Sequence, residues 1–137
     1  MESRIEQVVE RHKKGYSCAQ AVACSYCDLV GMDEETLFKV TEGFGIGMGN
    51  FSGTCGALTS VATLAGLLNS NGDLEARNSK ASTFKIVRGI MDEFAQMNGS
   101  VICHELKGME TGKMLRSCRD CVIDAANLAE KHLFADK

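Results

Sequence analysis

A stretch of fourteen residues without a charged side chain, CGALTSVATLAGLL at positions 55–68, dictates the centre of the fold. A helix that is apolar on every side is stable only when other elements surround it. The following residues, NSNG, are typical of a helix end. We therefore predict a buried central helix that begins near Cys55, with Ser52 or Thr54 as its cap.

The remaining chain predicts more helices and no sheet, because it contains no proline and no convincing run of alternating polar and apolar residues. Glycine and asparagine separate the helical segments. We expect an all-α fold, a single compact bundle of five to seven helices over residues 1–137, with a glycine-rich loop at 43–53 before the central helix. The other predicted helices are 2–14, 18–30, 32–44, a long one from Asp73 or Asn78 to the MNG sequence, and 117–134, with a loop or short helix at 99–113.

Charge and hydropathy exclude several classes of function. The net charge is −3 with both signs interspersed, whereas a nucleic-acid-binding surface needs an excess of basic residues on one face. No apolar run approaches the roughly 18 residues of a membrane span, so we expect no membrane insertion. The first residues, MESRIEQVVERHKKG, lack the apolar core of a secretory signal. We therefore expect a cytoplasmic location.

Seven cysteines are the strongest indication of function. An odd number fits a secreted disulfide framework poorly, and intracellular cysteine clusters are more often catalytic or metal-binding. Cysteine is also among the most frequently buried residues, so each of them alone could simply fill space in the core.

Helical geometry distinguishes the cysteines from one another. Cys55 and Cys118 fall in the first turns of predicted helices, where free N–H groups and the helix dipole favour the thiolate. Glycines before Cys55 allow a tight loop over a reactive or ligating sulfur. Cys18 lies on the opposite side of its helix from Cys24 and Cys27, at about 100° per residue. We therefore interpret Cys24 and Cys27 as packing residues.

Two other motifs offer weaker alternatives. The GIGMG sequence at 45–49 superficially resembles a nucleotide-binding loop, but that fingerprint requires a preceding strand and a βαβ unit. His104 directly follows Cys103, and adjacent side chains rarely face one point, so a solvent-exposed or capping role is expected for it. No Ser/His/Asp or paired-carboxylate arrangement suggests itself.

Four segments together identify a family. GYSCAQAV, GFGIGMGNFSGTCGALTS, CHEL and CRDCVIDAA occur in that order over nearly the whole chain. They resemble the C_GCAxxG_C_C family, whose members are described as redox-active and carry four cysteines and a Cys-Gly-Ala-x-x-Gly core. The resemblance assigns the four cysteines to Cys18, Cys55, Cys103 and Cys118, and it leaves Cys24, Cys27 and Cys121 as extras. This chain has Ser60 where the family core has its last glycine. The resemblance therefore does not imply a close helix contact at that position.

Three functions follow as hypotheses. The first is an oxidoreductase-like protein in which Cys18, Cys55, Cys103 and Cys118 support thiol–disulfide or electron-transfer chemistry, with Cys55 as the attacking thiol. The second uses the same four thiolates as ligands of zinc or an iron–sulfur cluster. The third is a helical interaction module with a cysteine-rich core. The redox partner is not identified by the sequence, and homodimer formation is left open.

Overall fold

The computed structural model describes residues 1–137 and confirms an all-α fold. It contains no strand, only an isolated bridge between Thr54 and Ile102. Seven regular helices follow one another along the chain: α1 (Ile5–Lys13), α2 (Cys18–Ser25), α3 (Glu34–Thr41), α4 (Gly56–Asn69), α5 (Lys80–Asn98), α6 (Cys103–Lys107) and α7 (Cys118–His132). Two 3₁₀ turns, Cys27–Val30 and Glu42–Phe44, and a four-residue turn, Gly45–Met48, complete the folded elements.

Local signals fix many of the helix ends. The Ser17 hydroxyl accepts from the Gln20 N–H, and the Gln20 side chain accepts from the Ser17 N–H, which forms a capping box at the start of α2. Asp33 and Ser117 cap α3 and α7, where their side-chain oxygens accept from the N–H groups of Thr36 and Asp120. Gly99 ends α5 in the left-handed conformation.

Helix α4 lies at the centre of the bundle, as predicted. Its most extensive contact is with α2, and it also packs against α5 and α7. Leu58, Val61 and Leu64 are fully or almost fully buried in this core. Burial of such side chains contributes roughly 1.5–3 kcal/mol each, so α4 contributes several kcal/mol to the stability of the core.

Three predicted boundaries were wrong. Cys55, rather than Ser52 or Thr54, is the cap of α4, because the Cys55 N–H pairs with the carbonyl of Val101 and holds the preceding residues extended. Helix α2 ends at Ser25 instead of continuing to residue 30. Helix α5 begins at Lys80, because the Asp73 carboxylate accepts from the N–H groups of Glu75 and Ala76 in a separate turn.

The early end of α2 has a local cause. The Ser25 hydroxyl donates to the Ala21 carbonyl, and the Arg4 guanidinium donates to the Ser25 carbonyl. Both interactions compete with continuation of the helix. The next residue, Tyr26, is buried and stacks on Phe134. In the whole bundle, no helix combines the length and apolar composition that crossing a bilayer requires.

Candidate functional site: a cavity lined by five cysteines

Five of the seven cysteines line one small cavity between α2, α4, α6 and α7. The cavity has a volume of about 20 Å³, which is room for roughly one water molecule. The lining sulfurs therefore surround a space with no room for a larger ligand. Its lining residues are Cys18, Cys55, Gly56, Cys103, Leu106, Lys107, Arg116, Cys118 and Cys121.

Helix starts deliver three of these thiols. Cys18 is the first residue of α2, Cys118 is the first residue of α7, and Cys55 is the cap of α4. The N-terminus of a helix presents free N–H groups and the positive end of the dipole. Three positive helix ends thus converge on the cavity and favour negative charge on its sulfurs.

Backbone pairing brings Cys103 to the same place. The Cys55 N–H donates to the Val101 carbonyl at 2.8 Å, and the Cys103 N–H donates to the Gly53 carbonyl at 3.0 Å. These bonds fasten the segment before α4 to the start of α6. Cys103 is therefore held beside Cys55, although 48 positions separate them in sequence.

Two glycines are required because the backbone approaches the cysteines closely. A Cβ atom on Gly47 would lie 2.4 Å from the Cβ of Cys103, and Gly47 has a φ of +65°. A Cβ atom on Gly56 would lie 2.7 Å from the sulfur of Cys18. Any side chain at these positions would displace a cavity thiol. The glycine-rich sequence thus lets the chain fold tightly against Cys18 and Cys103.

Cys18 and Cys118 form one thiol pair. The Cys118 thiol beside the Cys18 sulfur outweighs burial and lowers the pKa of Cys18 to about 6, and the N–H groups of Ile46, Ala19 and Gly56 lower it further. The Cys18 sulfur in turn raises the pKa of Cys118, and burial adds to that shift. Near neutral pH the pair therefore consists of a Cys18 thiolate and a Cys118 thiol.

Cys55 and Cys121 form a second pair with the same polarity. The Cys121 thiol beside the Cys55 sulfur lowers the pKa of Cys55, with help from the N–H groups of Ala57 and Leu58 and against the effect of burial. The pKa of Cys121 is raised in return. Burial raises the pKa of Cys103, with partial compensation from the Lys107 ammonium group. Cys103 is the unpaired thiol of the cavity.

A comparison with known protein families identifies the family of this chain. Residues 16–132 match the family described as "Putative redox-active protein (C_GCAxxG_C_C)". The chain belongs to the C_GCAxxG_C_C family. No curated protein and no solved structure matches the chain.

The four cysteines of the C_GCAxxG_C_C pattern, Cys18, Cys55, Cys103 and Cys118, all lie on the cavity wall. Cys24 and Cys27 do not line it. The Cys24 thiol instead donates to the Glu34 carbonyl at 3.7 Å, and burial raises the Cys24 pKa to about 11.

Sequence reasoning missed two residues at the site. Cys121 was counted as an extra, yet it lies one helical turn after Cys118 and lines the same cavity. The signal was present in the spacing, because residues three apart in a helix share a face.

His12 was not considered, and its Nε2 atom lies 3.8 Å from the Cys118 sulfur. No local signal could have revealed a contact between residues so distant in sequence. His104 does not line the cavity, and its Nδ1 lies 3.0 Å from Glu110.

Ser60 stands where the family core has its last glycine, and the contact between helices at this position remains closely packed. It is fully buried at the contact between α4 and α2. Its hydroxyl donates to the Ala19 carbonyl. The side chain therefore links the helix that begins beside Cys55 to the helix that begins with Cys18.

A metal or iron–sulfur cluster would need three or more ligands at coordinating distances. The structure contains no group of three His, Cys, Asp or Glu side chains that could hold a metal ion. The cavity thiols enclose room for only about one water molecule. The arrangement does not fit the predicted ligand set of Cys18, Cys55, Cys103 and Cys118.

Proposed function

We propose that the protein carries out reversible thiol–disulfide exchange with a redox partner, and that Cys18 and Cys118 are the exchanging pair. The observation that carries the proposal is that Cys18 and Cys118, the first residues of α2 and α7, meet at one cavity, where the Cys118 thiol lowers the pKa of Cys18 to about 6. A thiolate beside a second thiol is what dithiol–disulfide chemistry requires.

Exposure assigns different roles to the two sulfurs. Cys118 is partly exposed, whereas Cys18 is only 7% exposed. A partner thiolate therefore attacks Cys118 in the oxidised pair and forms a mixed disulfide there. The bond between Cys118 and Cys18 breaks, and its electron pair leaves with Cys18. This direction is favoured because the thiol with the lower pKa is the better leaving group.

A second partner thiolate completes the reduction. It attacks the partner sulfur of the mixed disulfide, forms the partner's disulfide and releases Cys118 as a thiolate, which then takes up a proton. One protein disulfide and two partner thiols thus become one protein dithiol and one partner disulfide. The reverse sequence oxidises the protein. In the cytoplasmic setting that we expect, the pair rests as a dithiol.

This assignment differs from the sequence-based hypothesis in the attacking residue. Cys55 was expected to attack because it begins the central helix, and its pKa is indeed lowered. However, Cys55 is only 7% exposed, and its neighbour Cys121 is also buried. The pair that includes a partly exposed sulfur is therefore the better candidate for exchange with a partner.

A trapping experiment tests the proposal. Oxidised glutathione is added to the reduced protein and to Cys18→Ala, and peptides are mapped by mass spectrometry after an acid quench. In Cys18→Ala, glutathione should accumulate on Cys118 because no Cys18 thiolate is present to displace it. Cys118→Ala should give no Cys18 adduct on the same timescale. Cys27→Ala is the matched control, and it should behave as the unaltered protein does.

Glutathione on Cys24 or Cys27 instead of Cys118, or equal adducts on all cysteines, would contradict the proposal. Circular dichroism of each variant checks that the fold is retained. The redox partner in the cell would be a protein or small molecule with a disulfide or dithiol, and homodimer formation and the interaction-module hypothesis remain predictions.

A further inference from the structure

The proposed exchange at Cys118 does not involve Cys55 or Cys121. Both line the same cavity as the exchanging pair. Both belong to the buried core, with exposures of 7% and 2%. Cys121 stands one turn after Cys118 on α7, so the two pairs lie side by side.

The contacts of this inner pair match those of the outer one. Cys121 and Cys55 both line the cavity, where the Cys121 thiol lowers the pKa of Cys55 and the N–H groups of Ala57 and Leu58 at the start of α4 act in the same direction. The neighbouring Cys55 sulfur and burial raise the pKa of Cys121, and the Asp124 carboxylate raises it further. The pair thus combines Cys55, whose pKa is lowered, with Cys121, whose pKa is raised.

We infer that Cys55 and Cys121 form a second dithiol–disulfide centre, which exchanges electrons with the Cys18–Cys118 pair across the cavity. The inference extends the proposed function and rests on it, because buried Cys55 and Cys121 reach a partner only through the partly exposed Cys118. The chain then holds four electrons in two adjacent pairs. Cys121, which lies outside the family's four-cysteine pattern, is necessary for the inner pair.

The exchange balances without an additional reagent. The Cys55 thiolate attacks Cys18 in the outer disulfide, so a Cys55–Cys18 bond forms and the Cys118 thiolate is released. The Cys121 proton passes to that thiolate. The Cys121 thiolate then attacks Cys55, and Cys18 leaves with the electron pair. The result is a Cys55–Cys121 disulfide and a reduced outer pair, which a second equivalent of a partner disulfide can oxidise again.

The size of the cavity and the close approach of the residues that line it support this route. Its volume of about 20 Å³ leaves no room for a glutathione molecule among the sulfurs. Gly56, which follows Cys55, comes so close to Cys18 that a Cβ atom there would be 2.7 Å from the Cys18 sulfur. The start of α4 therefore bridges the two pairs.

The test counts and locates disulfides in the full chain during oxidation by excess oxidised glutathione. Samples are quenched with acid, remaining thiols are alkylated under denaturing conditions, and peptides are mapped. Two disulfides, Cys18–Cys118 and Cys55–Cys121, should form, which leaves three of the seven cysteines free. The outer disulfide should appear first.

Two variants separate the pairs. Cys121→Ala should stop at one disulfide, Cys18–Cys118. Cys118→Ala should slow formation of Cys55–Cys121 at least tenfold, because the buried pair loses its access to the oxidant. Cys24→Ala is the control and should still form both disulfides. If Cys121→Ala does not fold, Cys55→Ala is used in its place. The disulfide map of the unaltered chain tests the inner pair without any variant.

The outcomes distinguish this inference from the proposed function. A chain that stops at Cys18–Cys118 alone, or that pairs Cys55 with Cys103, overturns the inner pair and leaves the exchange at Cys118 intact. Absence of any Cys18–Cys118 disulfide overturns the proposed function. Unchanged formation of Cys55–Cys121 in Cys118→Ala overturns the transfer across the cavity.

Discussion

The Nε2 atom of His12 lies 3.8 Å from the sulfur of Cys118. His12 is near the end of α1, and Cys118 begins α7, so the contact joins two helices that are distant in sequence. Burial lowers the pKa of His12, and the positive charge of Arg119 lowers it further. At neutral pH the imidazole is therefore uncharged and can accept the Cys118 proton. His12 also precedes residues 16–132, the part of the chain that matches the family.

His12→Gln should slow the attack of Cys118 on oxidised glutathione by about 100-fold, the lower range for loss of a general base. The rate is measured in the Cys18→Ala background as the appearance of the mixed disulfide. The defect should become smaller as the pH rises, because hydroxide then removes the proton. His132→Gln is the control, since His132 contacts Glu93 outside the cavity. Equal rates for His12→Gln and the parent protein would show that His12 only packs against Cys118.

The Cys18 thiolate should be visible by its ultraviolet absorbance. A titration of the reduced protein should show a step with a midpoint at about pH 6, because the Cys118 thiol lowers the pKa of Cys18 to about 6. Cys18→Ala should remove this step, and Cys24→Ala should keep it, because the pKa of Cys24 is about 11. A first step above pH 8 in the unaltered protein would mean that the pair holds no thiolate at neutral pH.

The same shift makes stability depend on pH. The pKa of Cys18 is lower in the folded than in the unfolded chain, so its contribution is complete above the unfolded value and is lost as the pH falls through about 6. Each pKa unit corresponds to about 1.4 kcal/mol. The difference in free energy of unfolding between the unaltered protein and Cys18→Ala should therefore be larger at pH 8 than at pH 5. Urea denaturation at both pH values measures it, and a constant difference would contradict the assignment.

The sequence predicted the helical frame better than the site. The uncharged run after Cys55 indicated the central helix, because a helix without a polar face can only be buried. The cap of α4 was misplaced, because the pairing of Cys55 with Val101 is a long-range contact. Local capping rules favour Ser52 and Thr54, and they contain no information about Val101.

The thiol pairing depends on contacts that no local pattern encodes. The family pattern indicated four cysteines of one kind. In the folded chain, Cys18 with Cys118 and Cys55 with Cys121 form two pairs whose members shift each other's pKa, and Cys103 belongs to neither pair. Cys121 could have been included from its spacing to Cys118. The contact with His12, in contrast, depends on how α1 packs against α7.

Gly47→Ala should destabilise the protein and disturb Cys103. The new methyl group would lie 2.4 Å from the Cys103 Cβ and 2.8 Å from the Gly53 carbonyl oxygen, in a backbone with a φ of +65°. Overpacking and left-handed strain together should cost about 2–4 kcal/mol. Gly49→Ala is the matched control, because Gly49 has a φ of +78° but nothing within 4 Å of the added atom. Urea denaturation measures both, and similar losses would show that strain alone, without the clash at Cys103, explains the glycine.

Ser60 offers a test of how this chain differs from the family core. Its buried hydroxyl donates to the Ala19 carbonyl between α4 and α2. Ser60→Ala should therefore lose about 1 kcal/mol of stability, the typical net value of such a bond. Ser60→Gly, which restores the family residue, should lose about 1 kcal/mol more because glycine disfavours a helix interior.

Thr63→Ala is the control, because its hydroxyl bonds only to the Thr59 carbonyl within α4. The disulfide map should be the same in all three variants, since Ser60 does not line the cavity. A Ser60→Gly protein as stable as the unaltered chain would show that the bond to Ala19 contributes nothing and that serine at this position is neutral.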